Sequence, residues 1–371
     1  MTRRSTMLAA ALALTLAAVP AMAAPVVDCP LRESPFSIDS PLIDVLLSPA
    51  ATDVVRRLGP DRFTRLPASF AGTTAPSFAA IVSLRNASGL GGIEPDKLTA
   101  LDRELRAIPV TEDDKRARCA RYDNDVPRFN MPVGKPRLLL FEKINGFEDT
   151  PSVEAAHAAF LEMAGRQGWA IVSTTSGGAM NPAILRQFDA VIWNNVSGDV
   201  LTLAQRSAFK NWIEKGGAFI GIHGSAGDPV TFWDWYADTL IGARFLAHPM
   251  APQFQQARIA TEPHHPLSTA VPAEWVMNDE WYSFRTNPRS SGAQVLATLD
   301  ERTYSPVGHS KVDLRMGDHP IAWTKCIGKG RMFYSAIGHR PETYSAPNYV
   351  HMLEAAVAWA ADRRKQGSCK R

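Results

Sequence analysis

The chain has 371 residues, of which 45% are hydrophobic and 21% are charged, and its formal net charge is +3. This composition is that of a folded globular protein, and it excludes an intrinsically disordered chain, a collagen-like repeat and a coiled coil. The length suits one large domain with an additional segment. Since the sequence contains no run of basic residues, nucleic acid is not expected as a partner.

The first 23 residues have the pattern of a secretory signal peptide. Arg3 and Arg4 precede an apolar run over residues 7–20, and Ala-Met-Ala at 21–23 supplies a cleavage site. The apolar run is too short to cross a bilayer comfortably. We therefore predict that residues 1–23 are removed and that the mature protein is periplasmic or secreted, with no membrane span.

Four cysteines follow the signal peptide, and none of them belongs to a C-x-x-C pair that would indicate a structural zinc site. In an oxidising compartment they can form disulfides, and four cysteines allow three pairings. We prefer Cys29 with Cys119, because both lie in the same N-terminal segment.

Residues 24–130 are predicted to form a helical N-terminal module. Helical spacing of apolar residues begins after Ser40, continues over residues 49–58 and returns over residues 94–108, where prolines and glycines mark the ends. The module contains no acid–base pair and no metal-ligand spacing. Packing against the rest of the chain, or docking of a partner, is the expected role.

Residues 135–365 alternate between strand and helix patterns. Short apolar runs at 137–141, 169–173, 190–193 and 218–222 are typical of strands buried on both faces. Helical patterns separate them, including a capping box at residues 202–205. This alternation predicts an α/β domain with a doubly wound, mostly parallel sheet of the flavodoxin-like kind.

Ligands of such sheets bind beyond the carboxyl ends of the strands. The turn after the fourth predicted strand reads Gly-Ile-His-Gly-Ser over residues 221–225, so that a sharp small-residue turn would present His223 at the edge of the sheet. An imidazole there suits a metal ligand, a general base or a hydrogen-bond donor. A serine nucleophile elbow is not present, because His223 stands where that pattern needs glycine.

Several motifs in this region resemble the trehalose-utilization (ThuA-like) family, which is related in fold to class I glutamine amidotransferases. The matching segments are residues 141–147, 189–199, 217–224, 245–249, 279–284, 317–323 and 338–342. The chain departs from the family in the turn after the first strand, where relatives tend to carry a histidine and this chain has Glu148 and Asp149.

The resemblance implies a role in the use of sugars, especially disaccharides and their keto derivatives. It does not imply glutamine hydrolysis, because His223 replaces the elbow cysteine that the amidotransferases use as a nucleophile. Since fold alone does not supply function, the site has to be argued from its residues.

His223 and His339 each follow a short apolar strand that contains a glycine. If those strands are neighbours, the two imidazoles meet at one edge of the sheet. Asp279 and Glu280 lie in an extended segment, where alternation sends one carboxylate towards the cleft and the other away from it. We predict His223, His339, Glu280 and Asp279 as catalytic residues.

Two or three histidines with a carboxylate are the usual ligands of a divalent metal, and we assign His223, His248 and His339 as candidate ligands. The same residues are equally suited to metal-free acid–base catalysis. The spacing along the sequence does not separate these two alternatives.

Aromatic and polar side chains near the same turns are the expected binding surface for a small carbohydrate. Aromatic rings stack on the apolar faces of sugars, although about half of these rings are expected to belong to the core. The predicted substrate-binding residues are Phe147, Asn195, Trp233, His248, Trp281, Tyr282, His319 and Tyr344.

Three hypotheses remain at this point. The favoured one is an exported hydrolase or isomerase that acts on a sugar or keto-sugar derivative. The second is a non-catalytic carbohydrate-binding protein that uses the same cleft, and the third is a docking role led by the N-terminal helices. The sequence does not specify the substrate, the bond that changes or the oligomeric state.

Overall fold

A computed structural model of the protein describes residues 25–59, 68–86 and 94–362. The predicted signal peptide lies outside the described residues, and so does Cys369. Within the described ranges, no helix combines the length and the apolar character needed to cross a membrane.

The N-terminal module is helical, as predicted. Its longer helices begin with a proline in the first turn, and the last one begins with a capping box in which Thr111 and Asp114 satisfy each other's backbone N–H groups. A small apolar core built from Phe36, Leu42, Leu84 and Leu101 holds the helices together. The α-helices are α1 (Leu42–Leu47), α2 (Pro49–Leu58), α3 (Ala68–Ala71), α4 (Pro95–Arg106) and α5 (Glu112–Cys119).

One disulfide, between Cys29 and Cys119, closes the module with the two Cα atoms 5.3 Å apart. The preferred pairing is therefore confirmed. The bond joins the first described residues to the end of α5, and it spans 90 residues of sequence. A cross-link over so long a loop removes much conformational freedom from the unfolded chain.

The module packs against turns of the α/β domain. The backbone N–H of Ser77 donates to the carbonyl of Asn145 over 3.0 Å, and the N–H of Val230 donates to the carbonyl of Ile81 over 3.1 Å. Lys143 also forms an ion pair with Asp123. These contacts reach the turns at the carboxyl ends of the parallel strands, so the module supports the edge of the sheet where a site is expected.

A nine-stranded sheet forms the centre of the α/β domain, with the strands in the order β2-β1-β3-β4-β11-β10-β9-β6-β7, and β5 and β8 form a separate antiparallel pair. The strands are β1 (Arg137–Phe141), β2 (Ala170–Thr174), β3 (Ala190–Asn194), β4 (Ala218–Ile222), β5 (Phe245–Ala247), β6 (Phe254–Thr261), β7 (Glu274–Glu280), β8 (Ser283–Phe284), β9 (Gln294–Leu299), β10 (Pro320–Ile327) and β11 (Gly330–Ser335).

Five neighbouring strands, β2, β1, β3, β4 and β11, run parallel. The parallel, doubly wound arrangement predicted from the sequence is confirmed in this half of the sheet. Strands β3 and β4 are buried along their whole length, which explains their continuous apolar sequences. The remaining strands extend the sheet with antiparallel pairing.

The helices of the domain are α6 (Thr150–Gln167), α7 (Pro182–Leu185), α8 (Leu203–Glu214) and α9 (Pro347–Ala361), with a π-helix at Trp235–Ile241. The predicted capping box of α8 is present, with Thr202 and Gln205 bonded reciprocally. At α6, Asp149 occupies the position before the helix, and Thr150 and Pro151 form its first turn.

The antiparallel half of the sheet curls back towards the parallel half. Strand β7 is four positions from β11, which corresponds to about 19 Å in a flat sheet. Yet Asp279, near the end of β7, accepts a 2.9 Å hydrogen bond from the backbone of Gly338, just after β11. Irregular register between β9 and β10 at Pro320 and Ala322 is the kind of feature that bends a sheet.

His265 is a buried histidine whose contacts require a neutral ring. Its Nδ1 accepts a hydrogen bond from the backbone N–H of Leu267 over 3.1 Å, so its Nε2 carries the proton and donates to Thr324 Oγ1 over 2.9 Å. Burial lowers the pKa of His265 to about 4.

We therefore expect the free energy of unfolding to fall as the pH decreases from about 6.5 to 4. In this window the unfolded chain binds a proton at residue 265 that the folded chain rejects, and the loss amounts to up to about 3 kcal/mol. His265→Asn removes this part of the pH dependence, whereas the neighbouring exposed His264→Asn retains it. Urea unfolding at pH 4.5 and 7 measures both, and equal pH dependence in the two variants would contradict the assignment.

Candidate active site

His223 lies directly after β4 in a constrained backbone conformation. Its φ is +38°, a value that residues other than glycine rarely adopt. The peptide carbonyl of His223 accepts a 2.8 Å hydrogen bond from the hydroxyl of Tyr334. The Nδ1 of the ring lies 2.7 Å from the carbonyl oxygen of Ala336. This contact fixes the ring orientation and turns Nε2 away from the sheet.

His339 lies after β11, the parallel neighbour of β4. The residue before it, Gly338, has a φ of +138°, and a Cβ at this position would lie 2.5 Å from the hydroxyl of Tyr344 and 3.2 Å from the Cβ of His223. Only glycine allows the chain to turn so close to His223. As a result, the Nδ1 of His339 lies 3.2 Å from the Nε2 of His223.

Glu280, at the end of β7, completes a group that we call the His–Glu–His cluster (His223, Glu280 and His339). Its Oε2 lies 3.4 Å from the Nε2 of His223 and 3.1 Å from the Nδ1 of His339. The other oxygen, Oε1, accepts a hydrogen bond from Gln253 over 2.5 Å and lies 3.2 Å from the Nδ1 of His248. The residue is only 1% exposed.

The carboxyl group of Glu280 is held as an anion. Burial alone would raise its pKa, but the hydrogen bonds of His223 and His339 and the charge of His248 place its pKa well below the usual range. The effect on His339 is reciprocal: burial alone would lower the pKa of His339, yet the hydrogen bond and charge of Glu280 raise it above its ordinary value. A proton is therefore retained readily between these residues.

Asp279 faces away from the cluster and holds the turn that carries His339. Its two oxygens accept hydrogen bonds from the backbone N–H groups of Gly338, His339 and Arg340 and from the hydroxyl of Thr343, at 2.8–3.2 Å. Asp279 and Glu280 therefore point to opposite sides of the chain, as alternation along an extended segment predicts. Asp279 contributes to the position of His339, and it was expected to be catalytic.

A cavity opens above the cluster, at the carboxyl ends of the parallel strands. The ring of Tyr282 stacks on His223 with a centroid distance of 4.2 Å, and the Oδ2 of Asp149 lies 3.4 Å from the Nε2 of His339. The lining residues are Phe147, Asp149, Asn195, Ser197, His223, Gly224, Gly227, Asp228, Tyr282 and His339.

A second acid, Asp228, lines the same cavity. Its Oδ1 accepts a 2.5 Å hydrogen bond from the hydroxyl of Ser197, and its Oδ2 accepts a 2.6 Å bond from the backbone N–H of Gly198. Burial nevertheless raises the pKa of Asp228 to about 7, with the charge of Asp199 acting in the same direction. This carboxyl group therefore exchanges protons near neutral pH.

Of the predicted binding residues, Phe147, Asn195 and Tyr282 line the cavity, but others lie behind its wall. His319 is fully buried, where it bonds Glu301 and the carbonyl oxygen of Tyr282, and Trp281 donates from Nε1 to the carbonyl of Gln255 inside the core. These placements correct the expectation that His319 and Trp281 meet a ligand, because sequence patterns do not reveal which side of a turn is covered.

Three further predicted residues also lie outside the cavity lining. Tyr344 is buried, and its hydroxyl contacts Asn195 and the carbonyl of Gly338. Trp233 lines a neighbouring cavity that shares Asp228 with the first. His248, expected as a metal ligand and a binding residue, touches the outer oxygen of Glu280.

Residues that the sequence reasoning did not select include Asp149, Ser197, Asp228 and Gln253. Asp149 stands in the turn after β1, where relatives tend to carry histidine, so the departure from the family pattern marked the position. Asp228 follows the glycine-rich turn after β4 by a few residues, and only the fold shows that it lines the cavity. Gln253 comes from a loop with no recognisable motif.

The His–Glu–His cluster is also the group of described residues whose ligand atoms could hold a metal ion. One atom from each residue lies within 4.8 Å of the others. The donor set of two imidazoles and one carboxylate is that of many catalytic divalent metal sites.

Fold and site together define an α/β protein with a histidine–carboxylate cluster at the carboxyl edge of a parallel sheet. A family model described as "ThuA: Trehalose utilisation" matches residues 137–360, more than half of the chain. The chain belongs to the ThuA family, which confirms the resemblance inferred from its motifs. Membership indicates a carbohydrate-related role.

Solved structures of similar fold include a ThuA-like protein from Bacteroides uniformis, with 24% identity and a TM-score of 0.54 over 64% of this chain and 96% of that chain. A ThuA-like protein from Parabacteroides merdae shows 16% identity and a TM-score of 0.44 over 62% and 90% of the two chains. A GMP synthase component from Thermoplasma acidophilum shows 11% identity and a TM-score of 0.36 over 62% and 98%. A search of curated proteins found no match.

We expect Asp279→Asn to destabilise the protein by about 2–3 kcal/mol, because an amide N–H₂ would face backbone donors that lose their acceptor in a buried site. Chemical denaturation measures the change. Asp313→Asn is a matched control, since Asp313 also accepts from a backbone N–H but lies in an exposed turn. Equal, small losses in both variants would show that Asp279 does not hold the turn.

Proposed function

We propose that the protein is an enzyme that acts on a sugar or keto-sugar derivative by hydrolysis or isomerisation at the His–Glu–His cluster. The observation that carries the proposal is the convergence of two imidazoles and a buried carboxylate beneath a cavity that Asp149 and Asp228 also line. Membership of the ThuA family supports the carbohydrate class of the substrate.

The cluster is suited to accept a proton. The Nδ1 of His223 is next to a carbonyl oxygen, so in the neutral ring this nitrogen carries the proton and Nε2 has a lone pair. Glu280 then stabilises the positive charge that forms when an imidazole of the cluster takes up a proton. Asp228, whose pKa is about 7, supplies an acid on the same cavity. Both hydrolysis and isomerisation need such a base and acid in one cavity.

The walls of the cavity suit a sugar. Phe147 is exposed and offers an aromatic face for the apolar side of a ring, and Asp149 offers a carboxylate for its hydroxyl groups. A glutaminase reaction through a thiolate is not proposed, because the turn after β4 carries His223 and no cysteine.

We expect the mature protein to convert at least one disaccharide or keto derivative, and His223→Ala to lower kcat by at least about 100-fold, the usual scale of an acid–base group. Nuclear magnetic resonance of sugar mixtures measures turnover, and thermal shift measures binding. His351→Ala, which changes an exposed histidine of α9, is the control and should retain full activity.

A non-catalytic carbohydrate-binding protein is the alternative that this experiment separates. Sugars that raise the melting temperature of the wild type but are never converted would favour the binding protein. If His223→Ala converts sugar at the wild-type rate, the cluster does not take part in the reaction.

We also propose that the protein is exported to the periplasm or secreted. The support is the signal-peptide pattern of residues 1–23 and the Cys29–Cys119 disulfide, a bond that persists in oxidising compartments.

Expression of the whole chain in a bacterium with two membranes tests this proposal. We expect the protein in the periplasmic fraction, with a mature N-terminus at residue 24 and the disulfide formed. Changing Arg3 and Arg4 to Glu should retain the precursor inside the cell, since a basic n-region is part of the signal. A cytoplasmic, uncleaved protein in the unchanged chain would contradict export.

A further inference from the structure

The inner atoms of the His–Glu–His cluster are two imidazole nitrogens and one carboxylate oxygen that face one another. The Nδ1 of His223 donates its proton to the carbonyl of Ala336, so Nε2 presents a lone pair to the cluster. The Nε2 of His339 lies 3.4 Å from an oxygen of Asp149, and when this nitrogen carries the ring proton, Nδ1 also presents a lone pair. The Oε2 of Glu280 is the third acceptor.

In that tautomer three acceptors face one another, and they need a cation between them because their lone pairs repel. The cation can be one shared proton or one metal ion. A proton satisfies one pair of atoms along one line, whereas a metal ion satisfies all three acceptors together.

The distances match the geometry of a metal site. Ligands held 2.0–2.1 Å from a tetrahedral ion are about 3.3 Å from one another, and about 3.0 Å in an octahedral site. The three separations in the cluster are 3.2 Å between the imidazole nitrogens, 3.4 Å from Glu280 to His223 and 3.1 Å from Glu280 to His339. The three atoms therefore form a nearly regular triangle of the size that one ion requires.

The outer contacts of the cluster are those that orient metal ligands. Ligating histidines usually donate their second ring N–H to a carbonyl or a carboxylate, and Ala336 and Asp149 are placed to receive these protons. Ligating carboxylates are bonded through their free oxygen, and Gln253 and His248 contact Oε1 of Glu280. His248 thus belongs to the outer contacts.

We propose that His223 Nε2, His339 Nδ1 and Glu280 Oε2 together bind one divalent transition-metal ion. The inference deepens the proposed function and rests on it only for the choice of substrate, since the ligand geometry stands without a sugar. Because the histidines line the cavity and Glu280 lies buried behind them, the remaining coordination positions face the cavity. There the ion would polarise a sugar carbonyl or activate a water molecule.

The test uses the mature full-length protein, stripped with a chelator and then titrated with Zn²⁺ and with Co²⁺. We expect one ion per chain by elemental analysis after gel filtration, and visible Co²⁺ absorption that disappears when Zn²⁺ is added. Glu280→Gln and His339→Asn change the ligands with little change of volume, and each should weaken binding at least 100-fold.

His157→Asn is the matched control, because His157 also lies against a glutamate, Glu142, with its Nδ1 2.9 Å from a carboxylate oxygen, but lies outside the cluster. Circular dichroism verifies that each variant is folded, and a variant that fails to fold is replaced by His223→Gln. Stoichiometric binding by the wild type and by His157→Asn, lost in the cluster variants, supports the site.

Two results would overturn the inference: a wild type that binds neither ion, or cluster variants that bind as tightly as the wild type. Neither result touches the proposed function, which would continue through the metal-free acid–base route if sugar turnover persists. Conversely, a protein that binds one ion per chain but converts no sugar would support the metal site and contradict the proposed function.

Discussion

A buried negative charge, the carboxylate of Glu280, is the constraint on which the site depends. An ion removed from water costs several kcal/mol unless close partners compensate for the lost hydration. Here the compensation comes from His223, His339, His248 and Gln253, which approach both carboxylate oxygens from different parts of the chain. The constrained φ of His223 and the turn held by Asp279 are consistent with this need, because each places an imidazole where the anion requires one.

The bend of the sheet brings the anion to the histidines. His223 and His339 leave adjacent parallel strands, so strand pairing brings them near each other and Gly338 allows the final approach. Glu280 comes from β7 at the far edge of the antiparallel half, and only a curled sheet closes that gap. The parallel half of the domain therefore supplies the two imidazoles, and the antiparallel half supplies the carboxylate.

The elements that the sequence predicted well are those with local causes. Strands β1 and β4 and the capping box of α8 follow from short apolar runs and from a Thr–Gln pair, and the pairing of the two histidines follows from the glycines beside them. Side chains such as His319, Trp281 and Tyr344 were expected in the binding surface because their motifs lie near turns, but burial is decided by distant segments that pack over those turns. For the same reason Asp228 and Gln253 were overlooked, since their positions depend on the path of loops that carry no periodic pattern.

The contacts between the N-terminal module and the turn after β1 make the two parts of the chain hard to study separately. Asn145, in that turn, is bonded to Ser77 on one side and to Ser197 on the other, and Ile81 of the module holds the backbone of Val230. Removal of the module would take away the partners of the Asn145 carbonyl and the Val230 N–H, near the turn where Asp149 faces His339. Loss of activity in a truncated protein would therefore reflect disordered turns at the site. An inactive fragment would be no evidence that the module takes part in the reaction.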